Sequence, residues 1–353
     1  MRRVLICAVM VLGSVGCSSD APTSTPAPPT TERPADTTTS IGAAPTSTGG
    51  IGGVDERTVV IDGTGGTTAA TYAQAVSTGP HPAFVLIAGS GPTDRDGNNP
   101  LVPGRIDNLR SLAAQLAEAG ISSVRFDKIG VGETPLNGDP TAIDFTDYVQ
   151  QARDVLAWLR EQPGVDPARV GIIGHSEGGL VALDVAATDA VGVVGLFAPP
   201  GGRYLDLIGE QLRTQVSAAA LDAYELAVRE LRADGRLTTP ITDPILSQLF
   251  AAESLAFLVD ADRRDPLELA ASLPDRAAVV LACAELDVQV PCESLGSLRT
   301  ALGSALVDDV VVADANHVFR ITDGTGDLST YGDESLPHAT EPGDAVVAVV
   351  GSR

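Results

Sequence analysis

Ser176 stands in Gly174-His175-Ser176-Glu177-Gly178-Gly179, after the apolar run Val170-Gly171-Ile172-Ile173 and before an Ala/Leu/Val-rich stretch at 180–187. Those residue types in that order describe a buried strand, a tight turn and a helix. A serine hydroxyl attacks an acyl carbon when it projects from such a turn, which forces strained backbone angles on the serine and close strand–helix contact. Gly174 and Gly178 supply the positions without side chains. The helix start directs backbone N–H groups and the positive end of its dipole at a developing oxyanion. Serine-bearing glycine turns are common in a chain with 37 glycines, so it is the flanking strand and helix that mark Ser176 as a nucleophile.

Such a serine needs a base, and the chain has four histidines: His81, His175, His317 and His338. His175 lies inside the elbow, where its side chain is expected to point away from the nucleophile. His81 precedes the apolar run at 82–88. His317 follows the run at 307–312 in Asp314-Ala315-Asn316-His317, on a loop at a strand's carboxyl end. It is read as the base, with His338 in reserve. The acid that orients the base is expected in Glu285-Leu286-Asp287-Val288-Gln289-Val290-Pro291. Asp287 is the better placed of the two carboxylates there, and Glu285 is the alternative. The order Ser176, Asp287, His317 is the Ser…Asp…His order of one fold.

The elements that must hold these residues alternate along the chain. Strands are predicted at 57–61 and 67–76 around a Gly63–Gly66 turn, then at 82–88, 121–127, 191–198, 277–282 and 307–312. Helices are predicted at 106–119, 145–161, 294–302 and 344–350; in the second of these Val149, Ala152, Leu156 and Leu159 recur at helical spacing. The alternation implies an α/β fold, a mostly parallel sheet covered by helices on both faces. Residues 201–274 interrupt it with helical patterns at 205–216, 218–232 and 244–259. They are read as a cap insertion over the strands' carboxyl ends, against the alternative of a bundle with no gating role.

On Gly174-His175-Ser176-Glu177-Gly178-Gly179 together with Gly89-Ser90-Gly91-Pro92-Thr93-Asp94-Arg95-Asp96-Gly97-Asn98, the chain resembles the α/β-hydrolase superfamily. Within it, the paired motifs are similar to those of EstD-type bacterial carboxylesterases, over about residue 57 to the C-terminus. Ala88 departs from many relatives outside that branch, which carry histidine there. The resemblance implies cleavage of small carboxylic esters through an acyl-enzyme, with no cofactor and no metal. It also implies an oxyanion hole made by the N–H of Glu177 with that of Ser90 or Gly91; Pro92 has no N–H to offer. A serine peptidase or acyltransferase on the same fold, and a catalytically silent envelope binding protein, are the rival readings. A calcium loop starting at Asp94 would put Arg105 where a bidentate Glu belongs, so that segment is read as a salt-bridged turn.

The N-terminus reads as a targeting segment: Arg2-Arg3, a short apolar run at 4–12, then small residues up to Cys17. This run is about half of the roughly 20 apolar residues needed to span a bilayer. The segment resembles a bacterial lipoprotein signal, although Ser14 stands where leucine is usual. The expectation is a signal peptide at 1–16, lipidation of Cys17 and a cell-membrane lipoprotein facing the exterior or envelope, with ordinary secretion as the alternative. Residues 17–53, rich in Thr, Pro and Ser, are expected to be a disordered linker, and 54–353 the folded domain.

Composition bounds the partners. The net charge is −23 and the sequence pI about 4.3, which argues against nucleic acid or an anionic membrane surface as a main partner. Lys128 is the only lysine. Outside the signal and Cys17 the cysteines are Cys283 and Cys292, which bracket Asp287. In an exported protein they are expected to form a disulfide, worth about 2–3 kcal/mol on a loop-entropy model.

Overall fold

A computed structural model describes residues 55–353 except 76 and 78. The signal segment, Cys17 and the linker lie outside the described residues.

Two strands, β1 (Asp55–Gly63) and β2 (Gly66–Gln74), open the chain as an antiparallel hairpin. Asp154 holds its turn, accepting the Thr64 N–H at 2.7 Å. Then come β3 (His81–Ile87), α1 (Asn108–Glu118), β4 (Ser122–Phe126), α2 (Phe145–Arg160), β5 (Val165–His175), α3 (Glu177–Thr188) and β6 (Val193–Phe197). Five helices follow before the next strand: α4 (Tyr204–Leu212), α5 (Ala218–Asp234), α6 (Pro244–Leu249), α7 (Ala252–Arg263) and α8 (Pro266–Ala271). The chain closes with β7 (Ala278–Ala284), α9 (Gly296–Leu302), β8 (Leu306–Val312) and α10 (Glu341–Gly351). The eight strands form one sheet in the order β1-β2-β4-β3-β5-β6-β7-β8, parallel from β4 through β8.

Period-two alternation decides what lies on each face. Val85, Ile87, Ile172, Val279 and Leu281 join one core with α2 and α3. Phe84, Leu86, Ile173, Val280 and Ala282 point the other way, to α1 and α10. Strands covered on both sides are continuously apolar, and every residue of β3 and of β7 is buried. Helix α2 starts at a capping box, with Asp144 and Asp147 each accepting the other's backbone N–H.

The insertion between β6 and β7 is helical as expected but more finely divided. The stretch read as one helix at 244–259 is two, α6 and α7, parted where buried Phe250 stacks on Tyr224 at 5.7 Å. Helix α8 was not expected; Asp265 caps it and Pro266 occupies its first turn. Leu205, Ile208, Tyr224, Leu231 and Phe257 of the insertion belong to the same core as β5 and α3. Phe257 sits 5.4 Å from Tyr148 of α2, edge to face. The helix expected at 294–302 begins as a 3₁₀ turn at Cys292–Leu295, and the closing helix starts three residues early, with Pro342 in its first turn.

The segment after β3 is a salt-bridged turn. The Asp94 carboxylate accepts the N–H groups of Asp96 and Asn98, both at 2.9 Å. Arg95 pairs with buried Asp127 at 2.6 Å, and Asp96 with Arg125 at 2.6 Å.

Candidate active site

Strand β5 delivers the chain into a sharp turn at Ser176, with φ 53 and ψ −124, and α3 begins at the next residue. Such a conformation costs a non-glycine residue about 1–3 kcal/mol and persists because its neighbours fix it. Here the Ser176 N–H donates to the Phe197 carbonyl at 2.9 Å, and the Ser176 carbonyl accepts the Gly179 N–H at 2.8 Å. A Cβ on Gly174 would overlap the Gly178 carbonyl, and one on Gly178 would overlap the Ile87 carbonyl. The glycine spacing is therefore what lets strand and helix close on the serine. Ala198, Asp314 and Phe319 also have positive φ, and all three lie just past strands β6 and β8, beside the same end of the sheet.

The loops after β7 and β8 bring Asp287 and His317 together. His317 Nδ1 lies 2.7 Å from Asp287 Oδ2, with both side chains buried. The other Asp287 oxygen accepts the N–H groups of Gln289 at 2.7 Å and Val290 at 2.9 Å. The carboxylate is thus held on both oxygens, and it holds the imidazole in the tautomer that leaves Nε2 free to take a proton. Glu285 is exposed and lies against the Asp314 N–H at 3.4 Å. His338 Nε2 donates to the Ile106 carbonyl at 2.8 Å, and His81 Nε2 lies 2.8 Å from Ser122 Oγ. Neither is near the Asp287 carboxylate in the hydrogen-bond pattern. Cys283 and Cys292 are joined as a disulfide, Cα–Cα 5.4 Å, across the loop that carries Asp287.

The loop after β3 lies against the elbow: a Cβ on Gly89 would come within 3.3 Å of Ser176 Cβ. Among the described residues the N–H groups of Ser90 and Gly91 donate to no protein acceptor. The Glu177 N–H, first in its helix, has no intrahelical acceptor either. Three unpaired N–H donors thus lie in the loop after β3 and at the start of α3.

Residues 84–325 match the family model of the alpha/beta hydrolase family. The chain belongs to that family. By sequence this hydrolase is 25% identical, over 247 residues, to esterase EstD of Thermotoga maritima. The match covers 70% of this chain and 56% of the relative, so the chain spans little more than half of that relative's length. By structure it is similar to an esterase of Pyrococcus furiosus, Pf2001, with 15% identity and a TM-score of 0.52 over 85% of this chain and 91% of that one. It is also similar to the alpha/beta hydrolase GrgF from Penicillium sp. sh18, with 19% identity and a TM-score of 0.50 over 73% and 89% of the two chains. Likeness at those identities speaks to the fold.

Two features of the hydrolase's site were not read from the sequence. His175 turns its ring to within 4.8 Å of the His317 ring, and its Nε2 donates to the His317 carbonyl at 2.9 Å. Burial, and then the neighbouring His317, hold the His175 pKa down to about 3, so the imidazole is neutral and its one N–H goes to that carbonyl. The residue before Ser176 thereby anchors the loop of His317. Asn316, fully buried, shapes the same loop by accepting the N–H groups of Val318 at 3.1 Å and Arg320 at 3.0 Å. The signals were present, a histidine inside the elbow and an Asn before the base, but their partners are 142 and a few residues away in sequence and only the fold pairs them.

Proposed function

We propose that this hydrolase is a serine esterase acting on small carboxylic esters through an acyl-enzyme. The observation that carries the reading is the Asp287-held His317, whose carbonyl is fastened by His175, the residue beside the strained Ser176. Ser176 Oγ attacks the ester carbonyl carbon and His317 Nε2 takes its proton. As the C–O bond to the alcohol breaks, His317 returns that proton to the leaving oxygen; water then repeats the sequence on the acyl-enzyme and releases the acid. Asp287 stabilises the imidazolium, and the N–H groups of Glu177 and of Ser90 or Gly91 stabilise the oxyanion. Two of the relatives are named esterases, which favours an ester over an amide. The reading includes export, with a lipid anchor at Cys17.

The test is Ser176→Ala in the full chain, with hydrolysis of p-nitrophenyl acetate and covalent labelling by a fluorophosphonate as readouts. Loss of both, with an unchanged circular-dichroism spectrum, is expected. Turnover or label that survives the substitution would remove Ser176 from the role.

A further inference from the structure

Lys128, the chain's only lysine, is buried two residues past β4. Burying an ammonium is costly unless its donors are satisfied. Its Nζ donates to the Gly89 carbonyl at 2.5 Å and to Glu177 Oε1 at 3.2 Å, and lies 5.9 Å from the centre of the Tyr148 ring. The second Glu177 oxygen accepts the Tyr204 hydroxyl at 2.5 Å. Burial first, and then the Glu177 charge, hold that hydroxyl far above its ordinary range, so it stays a donor. One ammonium thus links the loop after β3, the residue after the nucleophile and, through Tyr204, the first helix of the insertion.

Peptide geometry gives this link a consequence. The Gly89 carbonyl and the Ser90 N–H belong to one planar trans unit and point in opposite directions. Fixing the oxygen therefore fixes the direction of the N–H, and a positive charge on the oxygen polarises the unit and strengthens its donor. Glu177 is pinned by its carboxylate while its backbone N–H starts α3. Both donor groups assigned to the oxyanion are held by residues that themselves grip Lys128.

We propose that Lys128 is a positioning residue for the oxyanion hole, aiming the Ser90 N–H through the Gly89 carbonyl and the Glu177 N–H through the Glu177 carboxylate. This rests on the esterase reading. It goes beyond that reading because Lys128 touches none of the reacting atoms in the steps set out above.

The test is Lys128→Met, in the full chain, with steady-state hydrolysis of p-nitrophenyl acetate. Misaimed donors are expected to lower kcat about 10- to 100-fold with KM within about twofold of wild type. Affinity for a trifluoromethyl ketone, which forms a tetrahedral adduct, is expected to fall by the same factor as kcat/KM. Because Lys128→Met leaves Glu177 buried without its counter-charge, Lys128→Met/Glu177→Met provides a second variant free of that defect. It is expected to melt above the single variant and to keep the lowered kcat. Wild-type kcat in either variant, or a ketone affinity that does not follow kcat/KM, overturns the proposal. A wild-type chain that neither turns over the ester nor takes a fluorophosphonate on Ser176 overturns the esterase reading instead.

Discussion

A neutral histidine buried beside the base leaves a mark on stability. The pKa of His175 is about 3 in the fold, lowered first by burial and then by His317, against about 6.5 in an unfolded chain. Between those values the unfolded chain binds the proton and the folded one does not. The contribution of His175 is therefore fully present above the unfolded value and is lost as pH falls toward the folded one. Wild type is expected to lose about 1 kcal/mol more per pH unit than His175→Phe between roughly pH 6 and pH 4, read from urea unfolding at each pH. The carboxylates common to both proteins cancel in that comparison, and parallel curves would show that His175 is charged in the fold. The same residue marks how far the sequence could be read. Chain order and loop position single out Ser176, Asp287 and His317, and the fold puts Asp287 against His317 and a sharp turn at Ser176. Asp287 is preferred over Glu285, two residues away, by position alone, and the fold buries Asp287 against Gln289, Val290 and His317 while it exposes Glu285. The contact of His175 was not legible, because it depends on how a loop 142 residues away folds back.

Among the elements, β7 and the turn after it show how a scaffold holds the Asp287 carboxylate. Cys283 is the next-to-last residue of strand β7 and Cys292 opens the 3₁₀ turn before α9. The disulfide between them closes a short loop with Asp287 inside it. Arg299 of α9 adds a hydrogen bond to the Cys292 carbonyl at 2.8 Å. Cys283→Ala/Cys292→Ala is expected to lower the unfolding free energy by about 2–3 kcal/mol and to reduce kcat by loosening the Asp287 carboxylate. Guanidinium unfolding and ester turnover on the same preparation check it; an unaltered kcat would mean that the backbone N–H groups of Gln289 and Val290 suffice to hold the loop. The elements that sequence periodicity resolved are those whose signals are local, such as α2 with its capping box and apolar stripe. The insertion resolved poorly because its breaks are tertiary. Phe250 ends α6 by stacking on Tyr224 of α5, and no local residue type announces that.

For the molecule as a whole, the alternation of strands and helices carried the parallel sheet and its two covered faces, since each βαβ step buries one stripe of each helix. The proposed membrane attachment rests on a different part of the chain. With a net charge of −23 the protein is repelled by anionic lipid, so electrostatic adhesion cannot bring it to a membrane surface. Among the described residues no helix is long and apolar enough to cross a bilayer. The proposed attachment is covalent lipid at Cys17, and stable anchoring takes more than one acyl chain or a second signal. In that proposal the acyl chains on Cys17 carry the affinity, because a net charge of −23 adds no attraction to anionic lipid. Wild type is accordingly expected in the membrane fraction of the expressing cells and to resist a high-salt wash, because salt screens charge and leaves hydrocarbon burial intact. Cys17→Ser is expected in the soluble fraction with its kcat/KM unchanged, since Cys17 is separate in sequence from every residue assigned to the site. Salt-resistant membrane retention of Cys17→Ser would place the anchor elsewhere, and a soluble wild type would favour secretion without a lipid.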